Sequence, residues 1–117
     1  MRAHLALTAA TALFLTAPVR AGDQTAYQRI AAGDYARAER VLLAERRDAP
    51  NRPEILLNLA AVYRQTGRAA DARALYADVL RQPAKELDML SGRTVSSHDV
   101  ATTALASLPA ETAIAAR

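Results

Sequence analysis

Between Asn51 and Pro83 the residues Leu56, Leu59, Ala60 and Tyr63 fall at i, i+3, i+4 and i+7, a spacing that a helix gathers onto one stripe. Asn58, Arg64 and Gln65 lie to its other side. After Gly67 the residues Ala72, Leu75, Tyr76, Val79 and Leu80 repeat the spacing, so two amphipathic helices meet at a turn near Thr66-Gly67-Arg68. The stretch reads as a helical hairpin. Moved by thirty-four residues, Gly33 falls on Gly67, Asp34-Tyr35 on Arg68-Ala69, Ala38 on Ala72 and Leu42 on Tyr76, so the hairpin is present twice.

This period resembles that of the tetratricopeptide repeat, a helix-turn-helix unit. In the second copy, residues 51–83, Leu56, Leu59, Ala60, Tyr63, Gly67, Ala72 and Tyr76 occupy that family's signature places. Val79 stands where a small residue is usual. The first copy, residues 22–50, matches less fully. Its first helix, from Gly22 to Ala32, is short, with Tyr27, Ile30 and Ala31 marking an apolar face and Asp23 or Thr25 available as a cap. Its second helix runs to about Asp48, and Glu45 and Arg46 stand where the family has a small and a large apolar residue. Either Val41 and Leu42 carry the packing, or Glu45 faces an exposed edge, because a buried unpaired carboxylate is too costly. Pro50 ends this helix, Asn51 is the candidate cap of the next, and Pro53 suits its first turn.

The resemblance implies a right-handed superhelical stack and a protein-binding concave surface formed by the first helix of each repeat. Carried over by position, the residues facing it are Tyr27, Ile30 and Ala31 in the first repeat and Glu54, Leu57, Asn58, Ala61, Arg64 and Gln65 in the second. Relatives that clamp a peptide carboxylate have an Asn where this chain has Asn58. The accompanying basic residues are absent, so the resemblance does not extend to that clamp.

Upstream, Arg2 precedes an apolar run from Leu5 to Ala17, broken by Pro18 and followed by Val19-Arg20-Ala21. This is the layout of a secretory signal peptide over residues 1–21. As a helix the run would rise about 20 Å, short of the roughly 30 Å hydrocarbon core that an anchor must cross. Cleavage after Ala21 therefore predicts a periplasmic or secreted protein beginning at Gly22. The fifteen Lys and Arg then fall to thirteen against twelve Asp and Glu, a net +1. Those cations are scattered, so no stripe for a phosphate backbone stands out and nucleic acid is not an expected partner. Without Cys, the exported fold relies on neither disulfides nor zinc–thiolate sites.

Beyond Pro83 the period is lost. Glu86-Leu87-Asp88-Met89 alternates polar with apolar, Ser91-Gly92 signals a turn, and Thr94-Val95-Ser96 has β-propensity, which together predict a hairpin. A two-residue loop would pair Asp88 with Val95. A three-residue loop, Ser91 to Arg93, pairs Met89 with Val95 and keeps Leu87 on the same face, and is preferred. Ser97 then reads as a helix cap with Asp99 in the first turn, and Val100, Ala104, Leu105 and Leu108 form a last stripe, stopped by Pro109. Residues 84–109 thus cap the stack, and 110–117 form a tail, either frayed helix or disorder.

Ser96-Ser97-His98-Asp99 contains the residue types of a nucleophile triad, but sequence neighbours do not converge on one reacting atom, and helix capping explains them better. No metal-ligand spacing, phosphate-binding Gly loop or cofactor motif is present. The expected class is mostly α, two repeats with a β-hairpin and helix as cap, acting as a non-enzymatic adaptor for a protein or extended peptide of the cell envelope. The competing readings are a self-associating structural protein, whose short stack is completed by a second copy, and a small enzyme built on the cap.

Overall fold

The structure, a computed structural model, describes residues 26–89 and 91–109. The signal segment 1–21, the cap candidates Asp23 and Thr25, and the tail 110–117 lie outside them. In chain order the described elements are α1 (Ala26–Ala31), α2 (Tyr35–Asp48), α3 (Pro53–Gln65), α4 (Ala69–Arg81), β1 (Glu86–Asp88), β2 (Thr94–Ser96) and α5 (Ser97–Ser107).

The repeat holds at the level of single hydrogen bonds. After α1 the Gly33 N–H donates to the Ile30 carbonyl at 3.0 Å and the Asp34 N–H to Arg29 at 2.8 Å; after α3 the Gly67 N–H donates to Arg64 at 3.3 Å and the Arg68 N–H to Tyr63 at 2.8 Å. Each pair closes a helix end in the Schellman pattern, which requires a left-handed residue just past the cap. Gly33 and Gly67 supply it, both with φ +77°. The turns bring the helices of each hairpin together over Ala38 and Ala72, both fully buried. A larger side chain at either position would hold the helices apart.

The first helix differs from expectation in phase. Ala26 and Ile30 are buried, Tyr27 is half-buried and Ala31 is exposed, so the inward face runs through 26 and 30 instead of 27, 30 and 31. In α2 the packing falls to Leu42, buried, and Val41, half-buried, while Glu45 stays partly covered at the edge. Burial there raises the Glu45 carboxyl above its usual range, opposed by the charge of Arg52. The cap of α3 is Arg52 and not Asn51. Pro53 at the first helical position drives the residue before it into the extended region, and Arg52 sits there at φ −74°, ψ 116°. Its carbonyl accepts from Ile55 and Leu56, and no side-chain cap is made.

The hairpin has the expected inward face but a different register. Leu87 pairs with Val95, Asp88 with Thr94 and Glu86 with Ser96, two residues from the expected pairing of Met89 with Val95. The loop closes between Met89 and Arg93: the Met89 N–H donates to Arg93 at 2.8 Å and the Gly92 N–H to Met89 at 2.9 Å. A loop of this length ends in a left-handed residue, and Gly92, at φ +80°, takes that place; the register expected from sequence would have forced Arg93 into it. A slip of two residues preserves the alternation, so Leu87 remains buried and Met89 and Val95 pack against the core.

Helix α5 begins one residue earlier in its cap than expected. Ser96 is the N-cap, its Oγ accepting the His98 N–H at 3.2 Å, while Ser97 is the first helical residue and fully buried. The helix stops at Leu108 because Pro109 disfavours helical geometry in the residue before it. Buried Ala101, Ala104 and Leu108 and half-buried Leu105 fall at i, i+3, i+7 and i+4, the spacing of Leu56, Leu59, Ala60 and Tyr63. Helix α5 packs on α4 and, to a smaller extent, α3, as α3 packs on α2 and α1. It occupies the position of the first helix of a third repeat, with the hairpin inserted ahead of it. Val79, which a bare second repeat would expose, is buried beneath this cover, and Leu80 packs against the same core.

Candidate functional site

The first half of α3 is enclosed on all sides. Every residue from Pro53 to Ala60 is buried, Leu57 at 3% and Asn58 at 4% exposure. The sequence carries the reason: Ile55 to Val62 is apolar around nearly the whole helix apart from Asn58, and such a helix belongs in a core. Reading α3 as a stripe with one free face missed that signal. Of the residues assigned to the concave surface, Ile30, Leu57 and Asn58 therefore lie in the interior. Ala61 is half-exposed, and Arg64 and Gln65 are exposed together at the C-terminal end of α3. Tyr27, which the thirty-four-residue shift places on Ala61, is half-buried on α1.

Glu54 is also buried, and its carboxylate is committed within the chain. Lys85 Nζ lies 3.3 Å from Oε1 and Arg52 Nε 3.5 Å from Oε2, so Glu54 ties the start of α3 to the segment after α4. Arg64 has a different role. Burial pushes the Tyr76 phenol up, and the charge of nearby Arg64 opposes it.

A second polar cluster joins the repeats. Arg68, from the turn between α3 and α4, holds Glu39 of α2 in a two-bond fork, Nη1 to Oε1 at 2.7 Å and Nη2 to Oε2 at 3.0 Å. Its guanidinium carbon stands 4.3 Å from the Tyr63 ring centroid. The Arg68 hydrogen bond holds the Glu39 carboxyl below its usual range against a smaller desolvation effect, with further help from the Arg68 charge and the Tyr63 hydroxyl. Burial, and then the Glu39 charge, push the Tyr63 phenol up. Arg46 of α2 reaches Asp78 of α4 at 3.9 Å, and Asp78 also pairs with Arg81. The fork does not follow from helical spacing, because Glu39 and Arg68 are twenty-nine residues apart and belong to different repeats.

The Ser-Ser-His run is occupied by backbone. Ser97 Oγ accepts the Lys85 N–H at 2.9 Å while the Ser97 N–H donates to the Lys85 carbonyl at 2.8 Å, a reciprocal bracket between the start of β1 and the start of α5. His98 Nε2 lies 2.6 Å from the Gln82 carbonyl. Ser96 caps α5 itself, and Ser97 and His98 fasten α5 to the end of α4. Among the described residues no group of three His, Asp or Glu side chains could hold a metal ion, and no helix is long and apolar enough to cross a membrane.

A family model of the tetratricopeptide repeat matches residues 29–94, more than half of the chain. The chain belongs to the tetratricopeptide repeat family. No curated protein and no solved structure matches it. The matched stretch runs from the last turn of α1 to the first residue of β2, so it contains both glycine turns and the Glu39–Arg68 fork. Tetratricopeptide repeats mediate protein–protein contacts and are typically not enzymes. The residues that this chain's repeats leave available for such a contact on the first-helix face are Arg64, Gln65, Ala61, Tyr27 and Ala31.

Proposed function

We propose that this tetratricopeptide protein is a non-enzymatic adaptor of the cell envelope, exported through cleavage after Ala21, which holds a protein or extended peptide against the C-terminal end of α3. The observation that carries the reading is the exposure of Arg64 and Gln65 beside half-exposed Ala61 on an otherwise buried helix, within a family that binds proteins. A catalytic role for the cap is disfavoured by the commitment of Ser96, Ser97 and His98 to backbone groups. Self-association end to end is less well supported, since α5 presents Asp99, Thr102 and Thr103 outward and offers little apolar area at that end.

The test is capture from envelope extract on the mature chain, with Arg64→Glu and Gln65→Ala as comparators. A partner retained by the wild type and lost by both variants supports the reading; a partner retained equally by all three places the contact elsewhere. N-terminal sequencing of the expressed protein should give Gly22 first, and Met1 intact on a membrane-bound form would end the export reading.

A further inference from the structure

The outer face of α2 differs from its counterpart on α4 in a way that the packing does not require. Arg40, Leu43, Ala44 and Arg47 fall at i, i+3, i+4 and i+7 and are all exposed, opposite buried Ala38 and Leu42. Leu43 is the one exposed large apolar side chain among the described residues, at 39%. Most cations of the repeats have a partner within the chain: Arg37 has Asp34, Arg46 and Arg81 share Asp78, Arg52 and Lys85 share Glu54, and Arg68 has Glu39. Arg40 and Arg47 have no ion pair among the described residues, and no acid stands three or four positions from either along the chain. The thirty-four-residue shift places Arg40, Leu43, Ala44 and Arg47 on Ala74, Ala77, Asp78 and Arg81. In the second repeat the acid at position 78 neutralises Arg81; in the first, Ala44 stands in its place and the arginine is left unpaired.

We propose that this face of α2 docks an acidic amphipathic helix of a partner protein, with a carboxylate meeting each of Arg40 and Arg47 and an apolar residue between them on Leu43 and Ala44. The two arginines are seven residues apart on one helix, about 10 Å along its axis. A partner helix with acids at i and i+7 and apolar residues at i+3 and i+4 repeats that spacing with opposite charge. A membrane surface fits less well, because one leucine and one alanine offer no apolar face deep enough to enter the acyl region. The site is distinct from the end of α3 and does not depend on what binds there.

The probe is an alanine-based helical peptide with Glu at i and i+7 and Leu at i+3 and i+4, titrated by fluorescence anisotropy against the mature chain. Binding should have a dissociation constant below about 1 mM and weaken as salt is raised. The double variant Arg40→Glu, Arg47→Glu should lose about tenfold or more in affinity, and the matching peptide with Lys in place of Glu should bind that variant instead. Leu43→Asp should also lose binding, while Arg93→Glu and Arg64→Glu should leave it unchanged. All these residues are exposed, and circular dichroism checks that each variant keeps its helices. A Glu peptide that does not bind, or that binds the charge-reversed variant undiminished, overturns the proposal. Sedimentation of the wild type with phosphatidylglycerol vesicles in the absence of peptide binding would assign the face to a membrane and overturn it equally.

Discussion

Replacing Leu87 by Ala tests whether the hairpin is part of the folded unit or an ornament on it. Two three-residue strands do not hold together alone in water, so β1 and β2 depend on what they pack against. Leu87 is 1% exposed and is the only fully buried side chain among the described residues of the hairpin, with Met89 and Val95 half-covered beside it. Truncation removes about three methylene equivalents, worth roughly 2.4 kcal/mol in transfer. The cavity left behind carries the cost into the range of about 2–5 kcal/mol seen for buried leucines. For a domain of this size even the transfer contribution should lower the thermal midpoint by about 10–20 °C. Urea titration should show a lower midpoint with an unchanged slope, the mark of a cooperative unit made less stable. Val95→Ala, at a half-covered position, should cost clearly less. If Leu87→Ala leaves the midpoint within error while amide exchange in 86–96 accelerates, the hairpin opens on its own and the cover assigned to residues 84–109 is wrong.

Further outcomes follow from particular contacts. Ala72→Leu should overpack the α3–α4 crossing and cost about 1–3 kcal/mol in a urea titration, and a neutral result would contradict the full burial of Ala72. The Glu39 carboxyl is held below its unfolded value, so its contribution to stability is present above about pH 4.5 and is lost as pH falls toward the folded pKa. Glu39→Gln should therefore lower the midpoint at pH 7 and converge with the wild type in acid; equal differences at both pH values would sink the assignment. Glu45 has the opposite sign, because its raised pKa means the folded state resists ionisation and loses stability as pH rises through the carboxylate range. Glu45→Gln should raise the midpoint at pH 7 and change little where the native carboxyl is already protonated, as pH-dependent melting would show.

The architecture was legible where one side-chain property repeats along the chain. Leu56, Leu59 and Ala60 announced α3, and the two glycines placed the turns because few other residues enter their backbone region. The site was less legible. Asn58 looked like a surface residue because it is polar, yet the apolar residues around it outweigh one amide and carry it inside. The hairpin register escaped because alternation is unchanged by a slip of two, and only the conformation demanded at Gly92 separates the two pairings. The Arg68 fork escaped for another reason: spacing arguments reach one or two turns along a helix, and Glu39 is on a different repeat.

The five described helices also fix where the chain enters and leaves the layer. Tight turns reverse the path after α1, α2 and α3, and the Lys85–Ser97 bracket with the His98–Gln82 contact reverses it again after α4. An odd number of antiparallel passes puts the start of α1 and the end of α5 on opposite rims, separated by a helix length of about 20 Å. Had the second repeat ended the stack, both would lie on one rim. The described chain thus enters the layer at Ala26 on one rim and leaves it at Pro109 on the other, a polarity that the second repeat alone would not have.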